Sequence, residues 1–226
     1  MTRTELDQKI HDAKDQILLL GSMVEDAMYR SVRALKDHDF DVSQVILEND
    51  QAINRKRFEI ESAVISVIAT QQPAARDLRV FASVLDLCTE LERIGDYAKG
   101  IAVINLRSGG LSLPKILDDL YYMSEQVLDM FHRAVTAFFE ENAETARTIA
   151  GEDDIIDALY MRIYVEVIDL VIAHPNNMQR GNYVLSVAHN LERMADRVTN
   201  VCERTMFIAT GELGEISETL KPHVRH

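Results

Sequence analysis

The feature that most constrains this chain is a repeat of itself. Leu91-Glu92-Arg93-Ile94-Gly95-Asp96 returns as Leu191-Glu192-Arg193-Met194-Ala195-Asp196, shifted by 100. Asp50-x-x-Ile53-Asn54 returns as Asp153-x-x-Ile156-Asp157, and Asp26 and Val32 return as Asp129 and Val135, each shifted by 103. Pro73 returns as Pro175. Any one match is a coincidence, but all of them in one order require duplication. The shift falls by three along the unit, which places small deletions near the second turn. A fold for this chain therefore has to be built twice from about half its length.

Each half reads as three long helices. Pro and Gly number only 4 and 9, and they cluster at a few points. No stretch alternates with period two, and Ala, Leu, Glu, Met and Arg, which all favour helix, are common. Thr4-x-x-Asp7 resembles a capping box and opens a helix running to about Asp37. Asp39 or Asp41 caps a second, which ends at Gln71-Gln72-Pro73. A third runs from about Ala74 to Arg107 and stops at Ser108-Gly109-Gly110. Ser112 and Pro114 restart the chain, a fourth helix reaches about Phe139, and Asn142 caps a fifth that ends at His174-Pro175. A sixth runs to Thr210 and Gly211. The expected fold is all-α, two tandem three-helix bundles related by internal duplication and an approximate twofold. The units are 1–110 and 111–211, with 212–226 as a frayed tail of low apolar content.

Composition narrows the function classes. With 47% hydrophobic residues the chain can bury one or two modest cores. Its net charge of −13 disfavours nucleic acid and anionic lipid as direct partners. The apolar runs fall far short of the ~20 residues a membrane span needs. Met1-Thr2-Arg3-Thr4-Glu5 does not read as a signal peptide. Cys88 and Cys202 lack metal spacing and read as free thiols of a cytosolic protein. There is no nucleophile elbow, phosphate-binding loop or Cys/His cluster. No Glu-x-x-His pair of a di-iron oxidase occurs either.

The acidic residues carry the candidate chemistry. Glu92 and Asp96 lie four apart on one helix face, as do Glu192 and Asp196, and Asp153 and Asp157. An antiparallel hairpin places residues equally far from its turn side by side. Asp50 and Asp96 flank Pro73 at equal distance, and so do Asn54 and Glu92. Asp153 with Asp196, and Asp157 with Glu192, flank Pro175 at distances equal to within one residue. Reflection about the first turn brings Asp26 to that level, and Asp129 in the second unit. Three helices then offer oxygen ligands at one height, suited to divalent or trivalent cations such as Mg, Mn, Fe or Zn. The last helix adds a stripe of His189, Glu192, Asp196, Asn200 and Glu203, whose counterparts Thr89, Glu92, Asp96, Gly100 and Val103 offer fewer ligands. Residues 111–226 hold 10 basic and 19 acidic residues, against 14 and 18 in residues 1–110. The stronger metal site is expected in the second unit. The alternative is that Arg93 and Arg193 neutralise these acids in surface ion pairs.

The segments Gln72-Pro73-Ala74-Ala75-Arg76-Asp77-Leu78-Arg79, Leu91-Glu92-Arg93-Ile94-Gly95-Asp96 and Asn190-Leu191-Glu192-Arg193-Met194-Ala195-Asp196 resemble the PhoU family. The resemblance runs from Leu18 to about Thr210. It implies a cytoplasmic, non-enzymatic, homodimeric regulator of phosphate uptake and of the phosphate-starvation response. Such a regulator stands between the ATPase subunit of the phosphate ABC transporter and a phosphate-sensing histidine kinase, and meets the membrane only through those partners. It also implies metal binding through the Glu/Asp-x-x-x-Asp motifs, here Glu92, Asp96, Glu192 and Asp196. Asn54 and Gly100 depart from the pattern in the first unit. Two other readings stay open: a metal-dependent phosphohydrolase using the carboxylates, and a helical adaptor without metal.

Overall fold

The computed structural model describes residues 3–111 and 114–212. Helix α1 spans Arg3–Asp37, α2 Phe40–Gln71 and α3 Arg76–Ser108; α4 spans Pro114–Glu140, α5 Ala143–Ala150, α6 Asp153–Ala173 and α7 Met178–Thr210. A short 3-10 turn, Pro175–Asn177, joins α6 to α7. Among the described residues there is no strand. The six expected helices are present, the fifth in two pieces, α5 and α6.

Local chemistry explains most boundaries. The Asp39 carboxylate accepts from Val42 N at 2.9 Å and caps α2, and Asn142 accepts from Thr145 N at 3.1 Å and caps α5. Gln72 and Ala75 adopt positive φ on either side of Pro73, so α3 starts at Arg76, two residues later than expected. Gly109 and Gly110, at φ +64° and +101°, end α3 in a conformation that glycine tolerates best. Thr4 is not a cap: it lies inside α1, which is already helical at Arg3, and Arg3 bridges Asp77 of α3 and Asp7, the latter at 3.0 Å. The break between α5 and α6 falls at Gly151-Glu152. Glycine is a poor helix former there, and Arg133 of α4 draws Glu152 toward itself at 2.9 Å. The counterpart of Gly151 in the first unit is Glu48, and α2 runs on without a break. Of the expected tail, only Glu212 is among the described residues; the rest lies outside them.

The register between the halves displays the duplication. Helices α3 and α7 pack antiparallel at the centre. Arg204 meets Asp86 at 3.1 Å, Asn200 meets Glu90 at 2.9 Å, Asn190 lies against Gly100, and the Tyr183 hydroxyl donates to Arg107 O. Each step forward on α3 is matched by an equal step back on α7, and the pairs converge on Gly95 and Ala195. Those two are repeat counterparts, so a pseudo-twofold axis passes between them. The α1–α4 contact behaves alike: Lys14–Glu141, Gly21–Val135 and Glu25–His132 converge near Asp26 and Asp129. One apolar core runs through both halves, from Ile17 and Leu20 through Phe81 and Leu91 to Phe131, Leu191 and Val201. A Cβ on Gly95 would lie 3.3 Å from Ile53, so the small residue lets α3 settle closely on α2.

Candidate functional site

The hairpin reflection holds in both units. In the first, Lys99 on α3 reaches Asp50 on α2 at 2.7 Å and Asp96 on its own helix at 3.6 Å. Arg57 of α2 meets Glu92 at 3.3 Å and Glu61 at 2.8 Å. Asn54 Nδ2 donates weakly to Asp50 Oδ2 at 3.4 Å. Asp26 lines the same pocket, of about 150 Å³, as Asp50, Lys99 and Arg30, and Arg30 holds Asp26 at 3.5 Å. Burial, together with the neighbouring Asp96, pushes the Glu92 carboxyl above its ordinary range, against the pull of Arg57 and Arg93. The first unit therefore carries its own cations. The ammonium of Lys99 and the guanidinium of Arg57 hold carboxylate oxygens of Asp50, Asp96 and Glu92 that a metal ion would have to share.

The second unit keeps the acids and lacks Lys99. Its counterpart is Thr199, whose hydroxyl donates to Asp196 O at 2.7 Å and faces its own backbone. Burial pushes the Asp153 carboxyl up to about 7, reinforced by the negative charges of Asp157, Asp196 and Glu192. Asp157 is raised by burial and then by Asp196, and Glu192 by burial and then by Asp196, opposed by Arg193 and His189. Four carboxylates from α6 and α7 thus share one field. Arg193 meets Asp196 at 2.8 Å and Glu192 at 3.7 Å, and His189 Nδ1 lies 3.4 Å from Glu192 Oε2. Glu192 Oε2 is buried and accepts no hydrogen bond. His189 and Arg193 approach that oxygen without bonding it, and a buried carboxylate oxygen left this way costs free energy. Among the described residues no three His, Cys, Asp or Glu side chains stand in ligating positions as they are.

Two expected ligands turn elsewhere. Asn200 donates across the unit boundary to Glu90, which Arg197 also meets at 3.4 Å, so it serves the α3–α7 contact. Asp129 is clamped by Arg133 at 2.7 Å in the same fork that holds Glu152. The residues that sequence reasoning missed are the cations Lys99, Arg57 and Arg133. Lys99 against Thr199 was visible as a difference between repeats at a position three after the motif Asp. The reach of Arg57 from α2 had no sequence signal.

What the fold and site define is a class: a duplicated helical scaffold with a charge-balanced acidic level in one half and an acid-rich one in the other. The PhoU domain matches residues 17–104 and, a second time, 120–205. The chain belongs to the PhoU family. It is 33% identical over 219 residues, 96% of its length and 100% of the relative's, to a phosphate-specific transport system accessory protein PhoU homolog of Clostridium acetobutylicum. It is 32% identical over 217 residues to the homolog of that name in Streptococcus pneumoniae. The crystal structure of the phosphate transport system regulatory protein PhoU from Streptococcus pneumoniae superposes with a TM-score of 0.86 at 31% identity, covering 92% of this chain and 99% of that one. PhoU from Pseudomonas aeruginosa superposes at 0.87 and 28% identity, covering 91% and 99%.

Proposed function

We propose that this chain is a negative regulator of phosphate uptake and of the phosphate-starvation response. It works in the cytoplasm as a non-enzymatic adaptor between the ATPase subunit of a phosphate ABC transporter and a phosphate-sensing histidine kinase. The observation that carries this reading is whole-chain similarity to phosphate-transport accessory proteins, 33% identity across 96% of the chain, with both repeats matched. No helix among the described residues is long and apolar enough to cross a membrane, so contact with the transporter goes through partner subunits. A strain lacking the gene should express starvation-induced phosphatase when phosphate is abundant. A reporter that stays silent in that strain would overturn the reading.

The adaptor also binds a metal ion in its second unit, on Asp153 and Asp157 of α6 with Glu192 and Asp196 of α7. Glu192 Oε2, buried and without a hydrogen bond, supports this, as do the raised carboxyls of Asp153, Asp157 and Glu192 beside Asp196. All-oxygen donors of this charge suit Mg, Mn or Fe, and His189 beside Glu192 extends the range to Zn. Arg193, with its side chain 42% exposed, is free to turn outward as the cation enters. The ion would supply positive charge at that level and join α6 to α7.

A further inference from the structure

The second unit carries an acid at one place where the first carries an amide. Arg133 on α4 holds two carboxylates. Its Nε donates to Asp129 at 2.7 Å, and both terminal nitrogens take Glu152, one of them at 2.9 Å. Glu152 thus fills a bidentate guanidinium fork. At a shift of 103 the counterparts of Arg133, Asp129 and Glu152 are Arg30, Asp26 and Asn49. Arg30 keeps Asp26, but only at 3.5 Å, and an amide faces it in place of the second acid.

The first unit has a cavity at this level. Arg30, Asn49, Asp26, Asp50 and Lys99 line the pocket of about 150 Å³ between α1, α2 and α3. The rest of its wall is apolar, from Met23, Ala27, Ile46 and Ile53. Small residues make the room. Ala27 stands where the second unit has buried Met130, and Gly95 where it has Ala195. A cavity of this size accepts a molecule of about six heavy atoms, since an apolar void of about 150 Å³ holds benzene. Charge permits an anion. Lys99 holds Asp50 at 2.7 Å and Arg30 holds Asp26, so two acids in the wall meet two bases. In the second unit Thr199 replaces Lys99, and Arg133 alone keeps Asp129 and Glu152. A carboxylate that one cation holds there would find two cations here.

We infer that this pocket binds a small aliphatic carboxylate. The carboxylate sits on Arg30 as Glu152 sits on Arg133, within reach of the Lys99 ammonium and the Asn49 amide, and the short chain lies on the apolar wall. Bound this way, the ligand clips α1 to α2 and α3, as Glu152 clips the start of α6 to α4. Inorganic phosphate suits the pocket less well: it leaves the apolar wall uncovered, and its second negative charge meets Asp26 and Asp50.

The test uses the full chain with butyrate as the probe, followed by ligand-observed NMR, with helicity and melting temperature as folding controls. Butyrate should bind saturably at one site, and Arg30→Met should weaken it at least tenfold. Asn49→Glu supplies the acid from the chain itself, and Ala27→Met fills the wall as Met130 does; each should abolish binding in a folded protein. Neither 1-butanol nor inorganic phosphate should displace butyrate at equal concentration. The inference is overturned if butyrate does not saturate, or if its binding is indifferent to Asn49→Glu and Ala27→Met. Displacement by 1-butanol would reveal an apolar void without an anion site, and displacement by phosphate a general oxyanion site; either result overturns it equally.

Discussion

The two units place the same carboxylates at the same height on the same helices and treat them oppositely. In the first, Lys99 and Arg57 sit among Asp50, Glu92 and Asp96, and Asn54 stands where the second unit has Asp157. In the second, Asp153, Asp157, Glu192 and Asp196 face one another with Arg193 and His189 at the rim. The backbone level is shared, so the difference rests on three exchanges, lysine for threonine at position 99 against 199, arginine for tyrosine at 57 against 160 and asparagine for aspartate at 54 against 157. A duplicated fold keeps the geometry of a site cheaply; its charge balance is decided by a few side chains.

The largest expected effect breaks that contrast at the acid-rich end. Glu192→Ala with Asp196→Ala should abolish metal-dependent thermal stabilisation, which the proposed site predicts at about 2.7 kcal/mol for a hundredfold excess over Kd. Its metal-free melting temperature should stay put. Glu92→Ala with Asp96→Ala should leave bound metal unchanged by elemental analysis. Equal stoichiometry in the two double variants would make the units equivalent and end the comparison.

Next in size is a dependence on pH confined to the second unit. Asp153 titrates near 7 in the folded chain against about 3.8 for an ordinary aspartate. The folded state therefore holds the proton more tightly than the unfolded state does. Stability from this group is present at low pH and is lost as pH rises from about 4 through 7. Asp153 is half-buried, so solvent screening reduces the effect to on the order of 1–2 kcal/mol. In chelator-treated protein, the melting temperature should fall across that window, and Asp153→Asn should flatten the fall. An unchanged slope in the variant would show that the carboxyl is ordinary.

A third experiment sharpens the comparison from the other side. Lys99→Met leaves nearly buried Asp50 with only the long Asn54 bond and should cost about 1 kcal/mol, as expected for loss of a charge-assisted hydrogen bond at a partly exposed donor. Lys99→Thr installs the second unit's residue and should add a metal equivalent, read by calorimetry with Mn²⁺, and recover stability when the ion is present. If Lys99→Met melts like the native chain, Lys99 is a spectator. The smallest expected difference is between the two thiols. Burial pushes Cys88 and Cys202 alike up to about 12, so both should label with a thiol reagent at one rate set by global unfolding. Faster labelling of Cys88 would mean the first unit opens by itself.

Much of this was legible in the residues because its causes are local. Asp39 and Asn142 announce helix starts through a side-chain oxygen in reach of the next amides, and Pro73, Gly109 and Gly211 announce ends through forbidden or permitted φ. The common height of Asp50 and Asp96, or Asp153 and Asp196, followed from counting residues away from a turn. What was not legible depended on packing between helices. Asn200 lies on the acidic stripe of α7, yet its amide goes to Glu90, because α3 runs along that edge of the helix, and no pattern within α7 encodes α3. Lys99 escaped notice because a four-carbon stem lets a residue one turn beyond the motif return its charge to it. The break at Gly151 needed both a glycine and the pull of Arg133 from another helix. Of the two arginines that the alternative reading set against the acids, Arg193 pairs with Asp196 at 2.8 Å, while Arg93 acts on Glu92 less than Arg57 does.

The axis between Gly95 and Ala195 has one more consequence. Two copies of a half-chain joined across α3 would be a symmetric dimer, and in such a dimer every substitution is made twice. Lysine at both positions would silence both acidic levels; threonine at both would leave both demanding an ion. Fusing the halves into one polypeptide removes that obligation. Each former subunit can then drift alone, and a lysine can arise on one side while its twin stays threonine. The covalent link makes a lopsided molecule heritable: one half settled in charge for good, and the other left to answer to its surroundings.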